Sequence, residues 1–230
     1  MAISHAVGGA PQASLSSESA SISVVERELP KSYLVCKRVF DVTVSSVALV
    51  VLFPLFLAIA IGVAITGGGP VLYKQGRVGR GGKIIQVLKF RTMVRNADEV
   101  LRRDPELYAL YMAHLKLRND PRVTGFGRFL RRTTLDELPQ LINVFRGEMS
   151  IVGPRPIIPS EWQRYGEPIS VYLQMKPGCA GIWQCSGRNE LCYERRVEMD
   201  VEYYRRASGL FDLLVILKTA AAVLRGRGAY

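Results

Sequence analysis

Histidine is almost missing from these 230 residues: His5 and His114 are the only two. One lies in an N-terminal stretch without periodicity, the other in an apolar-periodic helix. A nucleophile triad built on imidazole therefore has no residues to draw on. Cysteine is nearly as scarce, and Cys36, Cys179, Cys185 and Cys192 include no C-x-x-C pair. That argues against a zinc site and a disulfide framework, and leaves reduced thiols in a cytosolic setting as the expectation. Only 22% of the chain is charged against 48% apolar, which excludes a mainly disordered protein and predicts one core. No basic start followed by an apolar run opens the chain. Residues 1–30, rich in Ser and Ala, read as a disordered tail rather than a signal peptide.

Nucleotide-loop fingerprints are missing too. The segment Gly76-Arg77-Val78-Gly79-Arg80-Gly81-Gly82-Lys83 is not G-x-G-x-x-G, and Gly82-Lys83 is followed by Ile84 where a phosphate loop has Ser or Thr. It reads as a glycine-rich turn with solvated charges between two short strands, Val71 to Gln75 and Ile84 to Phe90.

What the chain does have is positive charge, +11 in all. The tail holds Arg27 against Glu18, Glu26 and Glu28, so the remainder carries 30 basic and 17 acidic side chains, a net +13. Such an excess wants an anionic partner: nucleic acid, a lipid surface or a phosphorylated substrate. The arginines cluster with acids and prolines rather than in an aromatic-interleaved stripe, which argues against a nucleic-acid-binding module.

From Val42 to Thr66 there are 25 residues without a charge, about 37 Å of helix against roughly 30 Å of hydrocarbon. Pro54 divides this membrane segment into two arms of 12. Lys31, Lys37 and Arg38 precede it, and Lys74, Arg77, Arg80 and Lys83 follow it. Basic flanks at both ends favour a hairpin that enters and leaves by the cytoplasmic face, with a simple crossing as the alternative.

Further along, Asn96 with Glu99 predicts a capped helix to about Lys116, irregular at Pro105; Leu138 to Phe145 predicts another, stopping near Gly147. A charged helix is expected over Glu190 to Arg206. The stripe Leu210, Phe211, Leu213, Leu214, Ile216, Leu217, Ala221 and Leu224 suggests a helix lying on a membrane, or one packed in the core. The most informative stretch is Thr134-Leu135-Asp136-Glu137-Leu138-Pro139-Gln140, just after Arg128, Arg131 and Arg132. Paired acids can hold a divalent cation or attack phosphorus, and arginines grip phosphate oxygens bidentately, so the local chemistry suggests phosphoryl transfer. Thr134 with Glu137 also fits a capping box, and Asp136 could itself be a cap.

Five motifs, in order, resemble the bacterial sugar transferase family, the monotopic polyprenyl-phosphate phosphoglycosyl transferases that begin exopolysaccharide and glycan assembly. They are Lys89-Phe90-Arg91-Thr92-Met93, Asn119-Asp120-Pro121-Arg122-Val123-Thr124, Asp136-Glu137-Leu138-Pro139-Gln140, Gly153-Pro154-Arg155-Pro156 and Ser186-Gly187-Arg188-Asn189. The likeness covers roughly residues 31–230, and the ending Gly228-Ala229-Tyr230 is similar to that of exopolysaccharide galactose and glucose phosphate transferases.

The resemblance implies an α+β fold: a small monotopic membrane enzyme with few short strands and amphipathic interfacial helices. Residues 1–30 would be the tail, 31–66 a re-entrant broken helix and 67–230 the catalytic domain on the cytoplasmic face of the bacterial inner membrane. It implies that Asp136 is the nucleophile, attacking the sugar-linked phosphorus of a UDP-hexose, galactose or glucose, to release UMP and form an aspartyl-phosphosugar. Polyprenyl (undecaprenyl) phosphate then takes the phosphosugar, for downstream glycosyltransferases. Glu137 would assist, with Mg²⁺ held by Asp136 and Glu137. Lys89, Arg91, Arg131, Arg155, Arg188 and Asn189 would bind substrate. The intact pair Asp136 and Glu137 argues against an inactive scaffold of the same fold. One departure stands out: the family breaks its helix at a Ser-Pro pair, whereas Phe53 precedes Pro54 here. Ser45 or Ser46 would then have to supply whatever the missing hydroxyl does.

Overall fold

The computed structural model describes residues 28–114, 117, 120–186 and 192–224. It opens with two helices, α1 (Lys31–Val51) and α2 (Phe53–Gly67), bent against each other by 64°. The break sits at Leu52, so the arms are 21 and 15 residues long, not equal arms about Pro54. Proline explains its position. Pro54 is the second residue of α2, where its missing N–H costs nothing, while in a continuous helix it would leave the Val50 carbonyl without a donor and crowd the preceding turn. The Ser45 hydroxyl donates to the carbonyl of Asp41 at 2.6 Å, well before the bend. Ser45 therefore does nothing at Leu52. No single helix among the described residues is long and apolar enough to cross a membrane; this bent pair passes that test only together.

The hairpin β1 (Leu72–Val78) and β2 (Ile84–Phe90) pairs antiparallel from Leu72↔Phe90 to Val78↔Ile84. Its turn needs left-handed backbone at Gly81 (φ 68°) and Gly82 (φ 79°), which glycine adopts without a steric penalty. The first strand runs three residues past Gln75, the end expected from the sequence, so Arg77, expected as a solvated charge of the turn, stands in β1 instead. Arg77 is partly buried, donates to the Pro156 carbonyl at 2.8 Å, and has its pKa lowered, chiefly by burial.

Two short helices, α3 (Ala97–Arg102) and α4 (Pro105–His114), replace the single helix expected to about Lys116, because Pro105 starts a new one. Asn96 occupies the cap position of α3 but its side chain makes no capping bond. Next come α5 (Gly125–Thr133), capped by Thr124 Oγ1 accepting from the Gly127 amide, and α6 (Gln140–Arg146), ended by left-handed Gly147.

A second, parallel pair joins β3 (Ser150–Val152) to β4 (Gly178–Ala180), across the small helices α7 (Trp162–Tyr165) and α8 (Ile169–Tyr172). The helices α9 (Ile182–Cys185), α10 (Tyr193–Arg206) and α11 (Gly209–Leu224) complete the chain. The mixture of helices with two small sheets agrees with the α+β expectation.

Fully buried Val152, Val171, Tyr204 and Val215 centre one core cluster; Ile59 and Val63 of α2 join Phe90 and Leu130 in another. The break thus frees α2 to pack on the hairpin and α5, closely enough that a Cβ on Gly62 would fall 2.6 Å from the Phe126 ring. The first half of α1 is also tied to the domain. Buried Asp41 accepts from the Ser150 hydroxyl (3.1 Å) and the Ile151 amide (2.9 Å) of β3. Helix α11 buries Val215 in the core, as the packing alternative for its stripe expected, and leaves Leu210, Leu213, Leu214 and Leu217 exposed.

Candidate active site

The acid pair lies in a single 3-10 turn, Leu135–Glu137, wedged between α5 and α6. Thr134 at its head ends α5 and takes a left-handed conformation at φ 61°, the only non-glycine residue with positive φ among the described residues. It makes no side-chain cap, so the capping box read from the sequence is absent. Its αL backbone and role at the end of α5 explain why: a capping side chain needs extended backbone. Strained backbone of this kind persists only where its surroundings hold it, and here it turns the end of α5 directly into the acids.

Lys89 reaches from β2 to Glu137, Nζ to Oε1 at 2.6 Å. On the other side Arg131, largely buried on α5, donates from Nε to the Thr92 hydroxyl at 2.9 Å. Asp136 lies between these cations, and burial pushes its carboxyl up to about 6, with the Glu137 charge adding to the rise and Lys89 and Arg131 opposing it. At neutral pH such a group is mostly ionised yet poorly hydrated, the state in which a carboxylate attacks best. Burial lowers the Arg131 pKa, and the charges of Asp136 and Asp120 work against that.

A second arginine group borders the pair. Arg77 feels the charges of Arg155, Glu161 and Glu137. Arg155 donates to Glu161 at 3.1 Å and lies 5.3 Å from the centre of the Trp183 ring. Its main chain is held from beneath by Asp200, a buried carboxylate that also accepts 2.6 Å from the Tyr165 hydroxyl. Burial pushes Asp200 up to about 7.

Of the residues singled out in the sequence, Lys89, Arg131, Asp136 and Glu137 come together, and Arg155 joins through Arg77. Arg91 does not: its Nε donates to the Pro70 carbonyl at 2.8 Å. Arg188 and Asn189 lie outside the described residues. Arg77, Thr92, Glu161, Trp183 and Asp200 were missed as site residues. Thr92 was within reach inside its motif, but Arg77 and Glu161 meet Arg155 only through long-range folding.

Among the described residues no cluster of three acidic, histidine or cysteine side chains forms a ready cation cage. Two hard carboxylates fit Mg²⁺ nonetheless, since that ion usually takes one or two of them and fills its shell with substrate phosphate and water.

A domain packed on a bent apolar helix pair, with an ionisable carboxylate pair set among lysine and arginine, is an arrangement suited to phosphorylated substrates. The comparisons agree. The Bacterial sugar transferase family model matches residues 32–226. The chain is 47% identical over 198 residues to the "Exopolysaccharide production protein ExoY" of Rhizobium meliloti (strain 1021), covering 84% of this chain and 88% of that one. It is 46% identical to the "Undecaprenyl-phosphate galactose phosphotransferase" of Salmonella typhimurium and 39% to the "UDP-glucose:undecaprenyl-phosphate glucose-1-phosphate transferase" of Escherichia coli (strain K12). It spans only 41% of either of these longer relatives. The chain belongs to the bacterial sugar transferase family.

Proposed function

We propose that this protein transfers a hexose 1-phosphate from a UDP-sugar to polyprenyl phosphate, the first committed step of an exopolysaccharide or glycan repeat unit. It is a polyprenyl-phosphate sugar-1-phosphate transferase, the class to which its relatives' names point. Galactose and glucose are the sugars those names carry. The observation that carries the mechanism is Asp136: a half-hidden carboxylate beside a second acid, facing Lys89 and Arg131.

In the first step an Asp136 Oδ attacks the sugar-linked phosphorus of the UDP-sugar. The bond from that phosphorus to the bridging oxygen breaks, and the oxygen leaves with UMP. Arg131 and, from the second arginine group, Arg77 and Arg155 hold phosphate oxygens as charge moves onto the leaving group. Lys89 pins Glu137 so that the two acids stay distinct in role. In the second step an oxygen of polyprenyl phosphate attacks the same phosphorus, the acyl-phosphate bond breaks, and the Asp136 carboxylate returns. A Mg²⁺ ion held by Asp136 and Glu137 would supply positive charge against the donor diphosphate. The exposed apolar residues of the helix pair, among them Val50, Val51, Phe53 and Ile65, support embedding in one leaflet of the cytoplasmic membrane. The catalytic domain would then lie at the cytoplasmic surface, where both substrates meet.

The test is the order of product release. Detergent-purified protein given UDP-galactose or UDP-glucose and Mg²⁺, without lipid acceptor, should release a burst of UMP of at most one per chain, and polyprenyl phosphate should convert the burst to steady turnover. Release of UDP would instead mean attack at the anomeric carbon and would remove Asp136 from its role.

A further inference from the structure

A second cationic cluster lies outside the site just described, in a cleft between the first half of α1 and the domain. Its cavity is small, about 70 Å³, and open to solvent at its mouth. Lys37, Arg38, Arg80 and Lys176 line it, and neither Asp136, Glu137 nor any cation facing them does.

The charges are unevenly balanced. Lys37 is paired with Asp212 at 2.6 Å. Arg38 donates to the carbonyls of Val144 and Phe145, each at 2.8 Å, at the C-terminal end of α6. Asp41, the one carboxylate in the lining, has an oxygen taken by Ser150 and the Ile151 amide. Arg80 on the glycine turn and Lys176 ahead of β4 have no hydrogen-bond or ion-pair partner among the described residues. Four cations thus face two carboxylates, leaving two positive charges uncompensated. Burial lowers the Lys176 pKa, and the positive charges of Arg38 and Arg80 add to the effect against Asp41. Beside these cations the walls are apolar or aromatic: Leu34, Val152, Met175 and Tyr203.

We propose that this cleft is a separate anion site that takes a phosphate ester bearing an apolar group, with Arg80 and Lys176 gripping the phosphate. Planar arginine and mobile lysine side by side suit phosphate oxygens. The apolar wall suits an acyl or alkyl part better than a sugar. The same phosphate chemistry can come from the headgroup of an anionic lipid or from a free phosphate ester.

Native mass spectrometry of the full chain in detergent separates the two. The protein should retain one phosphatidylglycerol and no phosphatidylcholine. In the Arg80→Gln/Lys176→Gln variant, retention should fall about 30-fold, roughly fivefold for each cation at a membrane surface, while UMP release from UDP-sugar stays unchanged. Displacement of the lipid by millimolar hexyl phosphate assigns the site to free esters; persistence of the lipid assigns it to headgroups. Arg80→Gln alone, at an exposed position, gives the same reading if the double variant does not fold. Equal retention of phosphatidylglycerol and phosphatidylcholine, or equal phosphatidylglycerol retention by wild type and variants, would overturn the proposal.

Discussion

Replacing Asp136 by Asn should kill the enzyme and stabilise the protein. A carboxyl held at about 6 instead of the ordinary 3.8 makes its ionised form cost about 3 kcal/mol in the folded state. Because the folded state binds the proton more tightly than the unfolded one, this cost is absent below 3.8, grows through the interval, and is complete above about 6. Asparagine removes the charge and keeps the shape, and no cap is lost, since neither Asp136 nor Thr134 caps a helix through its side chain. Asp136→Asn should therefore match wild type near pH 4 and exceed it at pH 8 by up to about 3 kcal/mol, several degrees in Tm for a chain of this size. Thermal unfolding in detergent with a chelator, across that pH range, is the assay; chelation keeps divalent cations from stabilising the carboxylate. The UMP burst should drop by at least about 10³-fold in the same preparation. A variant less stable than wild type at pH 8, or one whose advantage does not change with pH, would show that the carboxylate holds the turn together and would refute this reasoning.

Lys89→Met should move the acid limb of the UMP-release profile to higher pH, because Lys89 favours ionised Asp136 and the nucleophile must be ionised; an unmoved limb counts against the pairing. Gly178→Ala should cost at least about 3 kcal/mol by urea unfolding, since the new Cβ would lie 2.1 Å from the Gly153 amide nitrogen and force β3 and β4 apart. With the native cysteines replaced, single cysteines at the exposed positions Lys31 and Lys74 should both be labelled only from the cytoplasmic side of intact cells; labelling of either from outside would mean the helix pair crosses.

The hairpin, the stop at Gly147 and the proline break were legible because each is a local matter: β-branched and aromatic residues around glycines, a left-handed C-cap, a missing N–H. The acid pair was legible as chemistry but not as geometry. Thr134-x-x-Glu137 satisfies the capping pattern, yet Thr134 already ends α5 in left-handed backbone, and one residue cannot do both. Helix α5 itself went unread, although Thr124 caps it, because Gly125 and Gly127 look like loop. Gly127 is there for space: a Cβ would fall 2.1 Å from the Thr92 carbonyl oxygen. Arg77 looked solvated for the opposite reason, since the Pro156 carbonyl that receives it lies 79 positions away.

The division at residue 66 into a helix and a catalytic domain is looser in space than along the chain. Asp41, immediately before the uncharged run, is buried and hydrogen-bonded to β3, and Lys37 and Arg38 are spent on α11 and α6. These polar groups would be costly in hydrocarbon, so the first half of α1 belongs to the domain, and on the proposed function the apolar surface from Val47 through α2 would be what remains to embed. Helix α6 is only seven residues, about 10 Å long. Its C-terminal carbonyls rest on Arg38, and the turn bearing Asp136 precedes its N-terminus. If Asp136 is the nucleophile and the helix pair embeds as proposed, the height of Asp136 above the lipid surface would be set by one short strut standing on the helix that enters it. On the proposed function this is the dimension that matters, because the acceptor phosphate is fixed at the headgroup level and the phosphosugar must be brought to it.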